Sequence, residues 1–249
     1  MSIITKTDAE IDLMREPCAI VRDTLAFVGE RISAGMSTKE VDELVERFIR
    51  AAGAYPSCLG YGGFPASACV SVNEVVVHGI PDDKTILKDG DIVSVDLCAY
   101  KNGFHGDAAR TFLIGNVSEE KRLLVERTKE CFFKGIENLH AGTPLYDIGY
   151  RVQKYAESFG YGVIRSYTGH GIGREMHEDP AVPNYGRLGT GPRLKANTVI
   201  CIEPMISMGN YRVRILDDDW GAVTIDGSPA AHYENTVAVR EEGVEILTL

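Results

Sequence analysis

The sequence predicts an α+β fold built from two related halves. Three observations lead to this prediction. Amphipathic helices with clear start signals occupy the beginning of the chain and recur near its middle. Short apolar runs that read as strands follow each pair of helices. A long-period internal match then relates the first part of the chain to the second.

The N-terminal part predicts two helices. Thr7 with Glu10, and Ser37 with Glu40, each have the spacing of a capping box, in which two free backbone donors are satisfied reciprocally. Apolar residues then recur at spacings of three and four, as on one face of a helix. Pro17 falls inside the first helix and is expected to kink it or to move its start.

The remaining elements follow from the same kinds of signal. Thr143 is the expected N-cap of the fourth helix, with Pro144 at its first helical position. The predicted elements are a Gly- and Pro-rich loop at 55–69, strands at 69–77 and 91–99, helices at 118–140 and 144–160, and mainly strands and loops over 162–249.

An internal match indicates duplication. Residues 34–53 resemble residues 141–160, an offset of 107 positions. The same offset places Asp96, inside one apolar strand, on Glu203 inside another. Any two amphipathic helices that begin with Ala-Gly look alike, but here the strands keep the same register and a carboxylate meets a carboxylate. We therefore expect two related halves, roughly 1–115 and 116–249.

Composition excludes several classes of protein. The chain has 249 residues, with 26 Lys and Arg against 36 Asp and Glu, a net charge of −10, which argues against a nucleic-acid-binding surface. At 44% hydrophobic residues it is an ordinary globular composition. No apolar run suits a signal peptide or a membrane span. Six cysteines without a CxxC motif indicate reduced thiols, so we expect a cytoplasmic protein.

Two carboxylates are predicted to share one face of a hairpin. Asp96 lies inside an apolar strand, and Asn102-Gly103 predicts a type I′ turn after it. With that turn, Cys98 faces Asp107, and Asp96 becomes a diagonal neighbour of Asp107 at about 7–8 Å. Like charges at this separation repel unless a cation such as a divalent metal lies between them. The alternative is a pair of solvated hairpin carboxylates.

Further polar residues occur in apolar surroundings. Glu203 and Glu234 each interrupt an apolar strand, and His170 lies between two glycines. A set of carboxylates with one imidazole suits manganese, iron or cobalt as readily as zinc. Several carboxylates with one histidine favour a dinuclear metallohydrolase. The remaining histidines have weaker contexts: His78 and His177 are candidates for a site, whereas His105, His140 and His232 are interpreted as structural or exposed.

Five segments of the chain resemble the type I methionine aminopeptidases in their short bacterial form. The segments are CLGYGGFPASACVSVNEVVVHGIP at 58–81, DGDIVSVDLCAYKNGFHGD at 89–107, GHGIGREMHEDP at 169–180, IEPM at 202–205 and HYENTVAV at 232–239. The resemblance implies the pita-bread fold, with two pseudo-symmetric halves of helices and antiparallel strands around a central metal site, in a single catalytic domain over 1–249. It implies two divalent ions (cobalt, manganese, iron(II) or zinc) held by Asp96, Asp107, His170, Glu203 and Glu234.

The resemblance also implies the reaction, which is removal of the initiator methionine from nascent polypeptides when the second residue is small. Glu203 would serve as ligand and general base, His177 would contact the scissile carbonyl oxygen, and His78 would contact the amide nitrogen beyond it. The methionine pocket would be lined by Cys58, Tyr61, Phe64, Cys69 and Trp220, with Tyr167 and Met205 as weaker candidates. Met176 departs from the phenylalanine that is common before the second histidine, and this affects the expected fine specificity.

Two alternatives stay open. One is a proline-directed aminopeptidase or prolidase of the same fold, and the other is a non-catalytic peptide-binding relative. The presence of all five ligand residues and the type of pocket favour the methionine aminopeptidase interpretation. The resemblance further implies a monomer that acts on N-termini of nascent chains, with transient association with ribosomes. The acidic composition and the lack of a long apolar run predict no binding to DNA or membranes.

Overall fold

A computed structural model describes residues 3–249 of the chain. The helices are α1 (Asp8–Gly29), α2 (Thr38–Ala51), α3 (Glu119–Gly135) and α4 (Tyr146–Glu157). The strands are β1 (Tyr55–Pro56), β2 (Cys69–Val72), β3 (Val75–Val77), β4 (Ile92–Lys101), β5 (Phe104–Leu113), β6 (Gly162–Val163), β7 (Gly169–Gly171), β8 (Glu178–Val182), β9 (Val199–Ile202), β10 (Met205–Ser207), β11 (Val213–Ile215), β12 (Ala222–Thr224), β13 (Ala230–His232), β14 (Asn235–Val239) and β15 (Val244–Ile246).

Both N-terminal helices begin as predicted. The hydroxyls of Thr7 and Ser37 accept from the backbone N–H of Glu10 and Glu40, and each glutamate bonds back to the backbone of its cap residue. Helix α1 continues through Pro17 and still starts at Asp8, so the proline does not move the start of the helix. The capping boxes therefore set both helix starts.

The predicted start of the fourth helix was wrong. Helix α4 has Leu145 at its N-cap position and no side-chain cap, instead of Thr143. The backbone of Thr143 accepts from Leu194 N–H at 3.0 Å, and Leu145 N–H donates to Pro192 at 2.9 Å. Pairing with residues 192–194 holds this segment extended, which delays the helix.

The central hairpin has the predicted register. Cys98 is paired with Asp107, and Lys101 is paired with Phe104. Asn102 and Gly103 between them have φ of 56° and 84°, as a type I′ turn requires. The predicted strand at 69–77 is divided into β2 and β3.

Helix pairs pack on the two larger sheets. One sheet has the order β1-β4-β2 with β5 on β4, and the other has the order β15-β14-β9-β7-β8. Helices α1 and α2 contribute to a core with β2, β4 and β5, whereas α3 and α4 contribute to a core with β9 and β14. Helices α3 and α4 end 106 residues after α1 and α2, at 135 against 29 and at 157 against 51.

Two contacts join the larger sheets beside the candidate site. The hydroxyl of Thr236 on β14 accepts from Asp107 N–H at 3.0 Å and donates to the Asp107 carbonyl at 2.8 Å. Glu234 N–H donates to the carbonyl of Ala109 at 3.0 Å. These bonds hold the middle of β5 against the start of β14. Among residues 3–249, no helix has both the length and the apolar character needed to cross a bilayer.

Candidate metal centre and active site

Four carboxylates and one imidazole line a single cavity of about 180 Å³. Glu203 follows β9 directly and Glu234 precedes β14 directly, so both lie where a strand ends. The five residues are Asp96 on β4, Asp107 on β5, His170 on β7, Glu203 and Glu234. The predicted ligand set is therefore brought together from both larger sheets.

The ring of His170 is fixed in one tautomer. Its Nδ1 lies 2.9 Å from the carbonyl oxygen of Gly171, which can only accept a hydrogen bond, so Nδ1 carries the proton. Nε2 then has a free lone pair and lies 3.9 Å from an oxygen of Asp107 and 3.9 Å from an oxygen of Glu203. A ring held through its other nitrogen is the usual arrangement of a metal-binding histidine.

The carboxylates are crowded and dehydrated. Burial raises the pKa of Asp107, Glu203 and Glu234 well above the ordinary range, and the neighbouring carboxylates raise it further. Burial also raises the pKa of Asp96. One oxygen each of Asp107 and Glu234 is buried without a hydrogen-bond partner. Such oxygens are costly unless a cation binds them.

These residues fit divalent metal ions. Ligand atoms of Asp107, His170, Cys201 and Glu234 all lie within 4.8 Å of one another. Burial raises the pKa of the Cys201 thiol well above its ordinary value, and its Sγ lies 3.6 Å from the hydroxyl of Thr236. The thiol is therefore protonated, and the oxygens with the imidazole form the donor set, which suits hard or borderline divalent ions.

An apolar and aromatic wall borders the carboxylates. The Phe64 and Trp220 rings pack edge to face at 5.1 Å, and the His78 ring lies 6.4 Å from that of Trp220. Burial lowers the pKa of His78 to about 4, so its ring is neutral. Besides the five predicted ligands, the cavity is lined by Cys58, Tyr61, Phe64, Cys69, His78, Met176, His177 and Trp220.

The two weaker pocket candidates lie behind this wall. The ring of Tyr167 packs on that of His78 at 5.2 Å, and Met205 is fully buried in a separate core cluster. At the mouth of the cavity, Nδ1 of His177 lies 2.8 Å from the hydroxyl of Tyr61. The rings of His177 and His170 are 4.2 Å apart, so a group that reaches one ring also approaches the other.

The family model described as metallopeptidase family M24 matches residues 12–241, which is most of the chain. The chain is a metallopeptidase of family M24. A methionine aminopeptidase of Clostridium acetobutylicum is 55% identical over 247 residues, which cover 99% of both chains. A crystal structure of methionine aminopeptidase from Rickettsia prowazekii superimposes with a TM-score of 0.98 at 41% identity, and 100% of each chain is covered.

A more distant relative shares the fold but has a longer chain. The prolidase of Pyrococcus furiosus superimposes with a TM-score of 0.79 at 26% identity, and the match covers 99% of this chain but 66% of that one. The M24 peptidase described here therefore has the pita-bread fold expected from its sequence. Family membership also implies divalent metal ions, in agreement with the orphaned carboxylate oxygens.

His232, which the sequence indicates as structural or exposed, is buried and lies beside a predicted ligand of the M24 peptidase. His232 is 1% exposed, and its Nε2 lies 3.4 Å from Oε2 of Glu203. Neither ring nitrogen has a hydrogen-bond partner. The signal in the sequence was its place two residues before Glu234. The other two histidines agree with the interpretation: His105 Nδ1 lies 2.9 Å from the Ser57 hydroxyl, and His140 is exposed.

Proposed function

We propose that this M24 peptidase removes the N-terminal methionine from nascent polypeptides whose second residue is small. The observation that carries the proposal is that one cavity contains both a buried set of carboxylates and a pocket suited to a thioether side chain. Cys58, Phe64 and Trp220 line the pocket, and burial raises the pKa of the Cys58 thiol well above its ordinary value. A neutral thiol and aromatic rings are favourable neighbours for the flexible side chain of methionine.

In this proposal, Asp96, Asp107, His170, Glu203 and Glu234 bind two divalent ions. Bound ions would supply Lewis-acid activation of a water molecule and of the scissile carbonyl. Cobalt, manganese, iron(II) and zinc all accept this donor set. Arg110 supports the centre by donating to the backbone carbonyl of Glu234, which fixes that strand end.

The chain's own residues divide the proton transfers and the binding of substrate. Glu203 acts as general base and passes a proton towards the leaving amine. His177, held by Tyr61, donates to the scissile carbonyl oxygen as negative charge develops there. His78, neutral and packed on Tyr167, contacts the amide nitrogen beyond the scissile bond. The pocket of Cys58, Tyr61, Phe64, Cys69 and Trp220 takes the methionine side chain.

The proposal extends to the setting in which the enzyme works. Every predicted ligand comes from one chain, which supports a monomer as the active unit. We infer that residues 1–249 act as a single catalytic domain of two halves that meet near residue 115. A nascent-chain substrate favours a cytoplasmic enzyme that associates transiently with ribosomes.

The test is methionine release from Met-Ala-Ser and Met-Leu-Ser, with Ala-Pro-Ser in parallel. Metal-stripped protein is assayed before and after addition of Mn²⁺, Co²⁺, Zn²⁺ or anaerobic Fe²⁺. Metal-dependent cleavage of Met-Ala-Ser alone is the expected result. Cleavage of Ala-Pro-Ser instead would assign the chain to the proline-directed branch, and a folded protein that binds metal but cleaves no peptide would be a binding protein.

A further inference from the structure

A buried ion pair lies outside the cavity but beside His177. Nζ of Lys6 lies 2.5 Å from Oε2 of Glu178, and the two side chains are 4% and 7% exposed. These residues are 172 positions apart in the chain. A buried ion pair contributes little net stability because dehydration of both charges offsets their attraction. A contribution to stability therefore does not explain why the Lys6–Glu178 pair is buried here.

The partner carboxylate organises the segment that carries His177. Glu178 is the first residue of β8, and residues 172–177 connect it to β7 and His170. Oε1 of Glu178 accepts from the backbone N–H of Arg174 at 2.9 Å and of Glu175 at 3.3 Å. The carboxylate of Glu178 thus binds the backbone just before His177, while its own backbone begins β8 just after His177.

The backbone of Lys6 is itself bonded to the segment that leads into β9. Its backbone N–H donates to the carbonyl of Asn197 at 2.8 Å, and Thr5 forms a bridge with Thr198, just before β9. Gly173 makes room for the ammonium group, since a Cβ at that position would lie 2.3 Å from Cε of Lys6. The lysine therefore connects the start of β9, the strand that Glu203 follows, with the His177 segment.

We propose that the Lys6–Glu178 pair positions His177 relative to the carboxylate centre. Lys6 and Glu178 are positioning residues: they touch neither the substrate nor the predicted ligands and act through His177. This inference rests on the role given to His177 in the proposed function. Misplacement of a reacting group by an ångström can lower a rate by about 100-fold, so a small shift of the segment is enough to matter.

The chain offers a matched control in the same place. Arg174 in the connection pairs with Glu10 in α1 at 2.9 Å, but these side chains are 64% and 26% exposed. This pair joins α1 to the same connection at the surface. Exposed pairs contribute little, so loss of the Arg174 charge is expected to leave the His177 segment in place.

The experiment is a double-mutant cycle on metal-loaded enzyme. Lys6→Met is made in the wild-type chain and in His177→Ala, with Arg174→Met as the control, and kcat and KM are measured with Met-Ala-Ser. Lys6→Met is expected to lower kcat about 10- to 100-fold in the wild-type chain and to cause no further loss in His177→Ala. Calorimetric metal affinity is expected to stay unchanged, and Arg174→Met is expected to keep the wild-type kcat.

The opposing results are distinct. An equal loss of kcat in both backgrounds would mean a general structural role, and no loss would mean that His177 does not need the pair; either overturns the inference. If His177→Ala alone leaves kcat unchanged, the inference falls together with the role of His177, and that single variant identifies the cause. If Lys6→Met does not fold, Glu178→Gln replaces it, because an amide keeps an acceptor for Arg174 and Glu175 N–H while removing the charge.

Discussion

Nε2 of His232 lies 3.4 Å from Oε2 of Glu203, inside the protein. The other oxygen of Glu203 faces Nε2 of His170 at 3.9 Å. The carboxylate thus lies between two imidazoles, one in the predicted ligand set and one outside it. A group that contacts the outer oxygen of a ligand can fix the orientation of that ligand, and loss of such a group typically costs about 10- to 100-fold in metal affinity or activity.

We therefore predict that two substitutions at His232 differ in their effects on kcat and metal affinity. His232→Leu removes the polar neighbour of Glu203 and is expected to lower kcat and metal affinity by about 10-fold or more. His232→Gln keeps an N–H donor of similar reach and is expected to retain most of both. Steady-state kinetics and calorimetric titration with Mn²⁺ check the pair. A leucine variant with wild-type values would show that Glu203 needs no partner on this side.

The four carboxylates predict an unusual effect of neutralising one of them. In metal-free protein near pH 8, Asp107→Asn removes a carboxyl group whose pKa is raised by burial and by repulsion from neighbouring carboxylates, and such a group destabilises the folded state at a pH above the ordinary carboxyl pKa. The substitution is expected to raise Tm by about 2–4 °C for each kcal/mol of repulsion relieved. It is also expected to abolish turnover and the rise in Tm that metal causes in the wild-type protein.

Thermal unfolding of both proteins with and without Mn²⁺ tests this prediction. Asp82→Asn is a suitable control, because Asp82 lies outside the cavity and its pKa is lowered by local hydrogen bonds from Thr85 and Lys84. That control is expected to lower Tm slightly and to keep the response to metal. A metal-free Asp107→Asn protein that is less stable than wild type would contradict the prediction.

Local signals in the sequence predicted the structure well where the chain contacts its near neighbours. The Asn102-Gly103 turn sets the register that pairs Cys98 with Asp107, because a two-residue loop leaves no freedom in the pairing. The ligand set was also predicted from the resemblance, and all its members line one cavity.

Contacts between distant parts of the chain were not predictable in this way. Thr143 has the sequence of an N-cap, but pairing with Leu194 holds its backbone extended. His232 acquires a contact with Glu203 only because β10 and β13 are paired, with Met205 opposite His232. Lys6 meets Glu178 across 172 positions. No periodicity or local propensity encodes such partners, since tertiary packing decides them.

The contact between Tyr61 and His177 predicts a graded effect on catalysis. His177→Ala removes the group assigned to the scissile carbonyl oxygen and is expected to lower kcat by about 10²–10³. Tyr61→Phe removes only the hydroxyl that lies 2.8 Å from Nδ1, so a smaller loss is expected. KM for Met-Ala-Ser is expected to change less than kcat in both variants. An unchanged kcat in His177→Ala would remove this role.

Metal binding is expected to release protons from the buried carboxyl groups. Burial and mutual repulsion raise the pKa of Asp107, Glu203 and Glu234, so in metal-free protein these groups hold protons at a pH where free carboxyls are ionised. Burial lowers the pKa of His170 to about 3, so its Nε2 has no proton to lose. Metal must displace carboxyl protons, and its apparent affinity is therefore expected to fall as pH is lowered from about 8 to about 6. Calorimetry in two buffers of different ionisation enthalpy counts the released protons, and Glu234→Gln is expected to lower the count. No proton release near pH 6 would mean that the carboxylates are already ionised before the metal arrives.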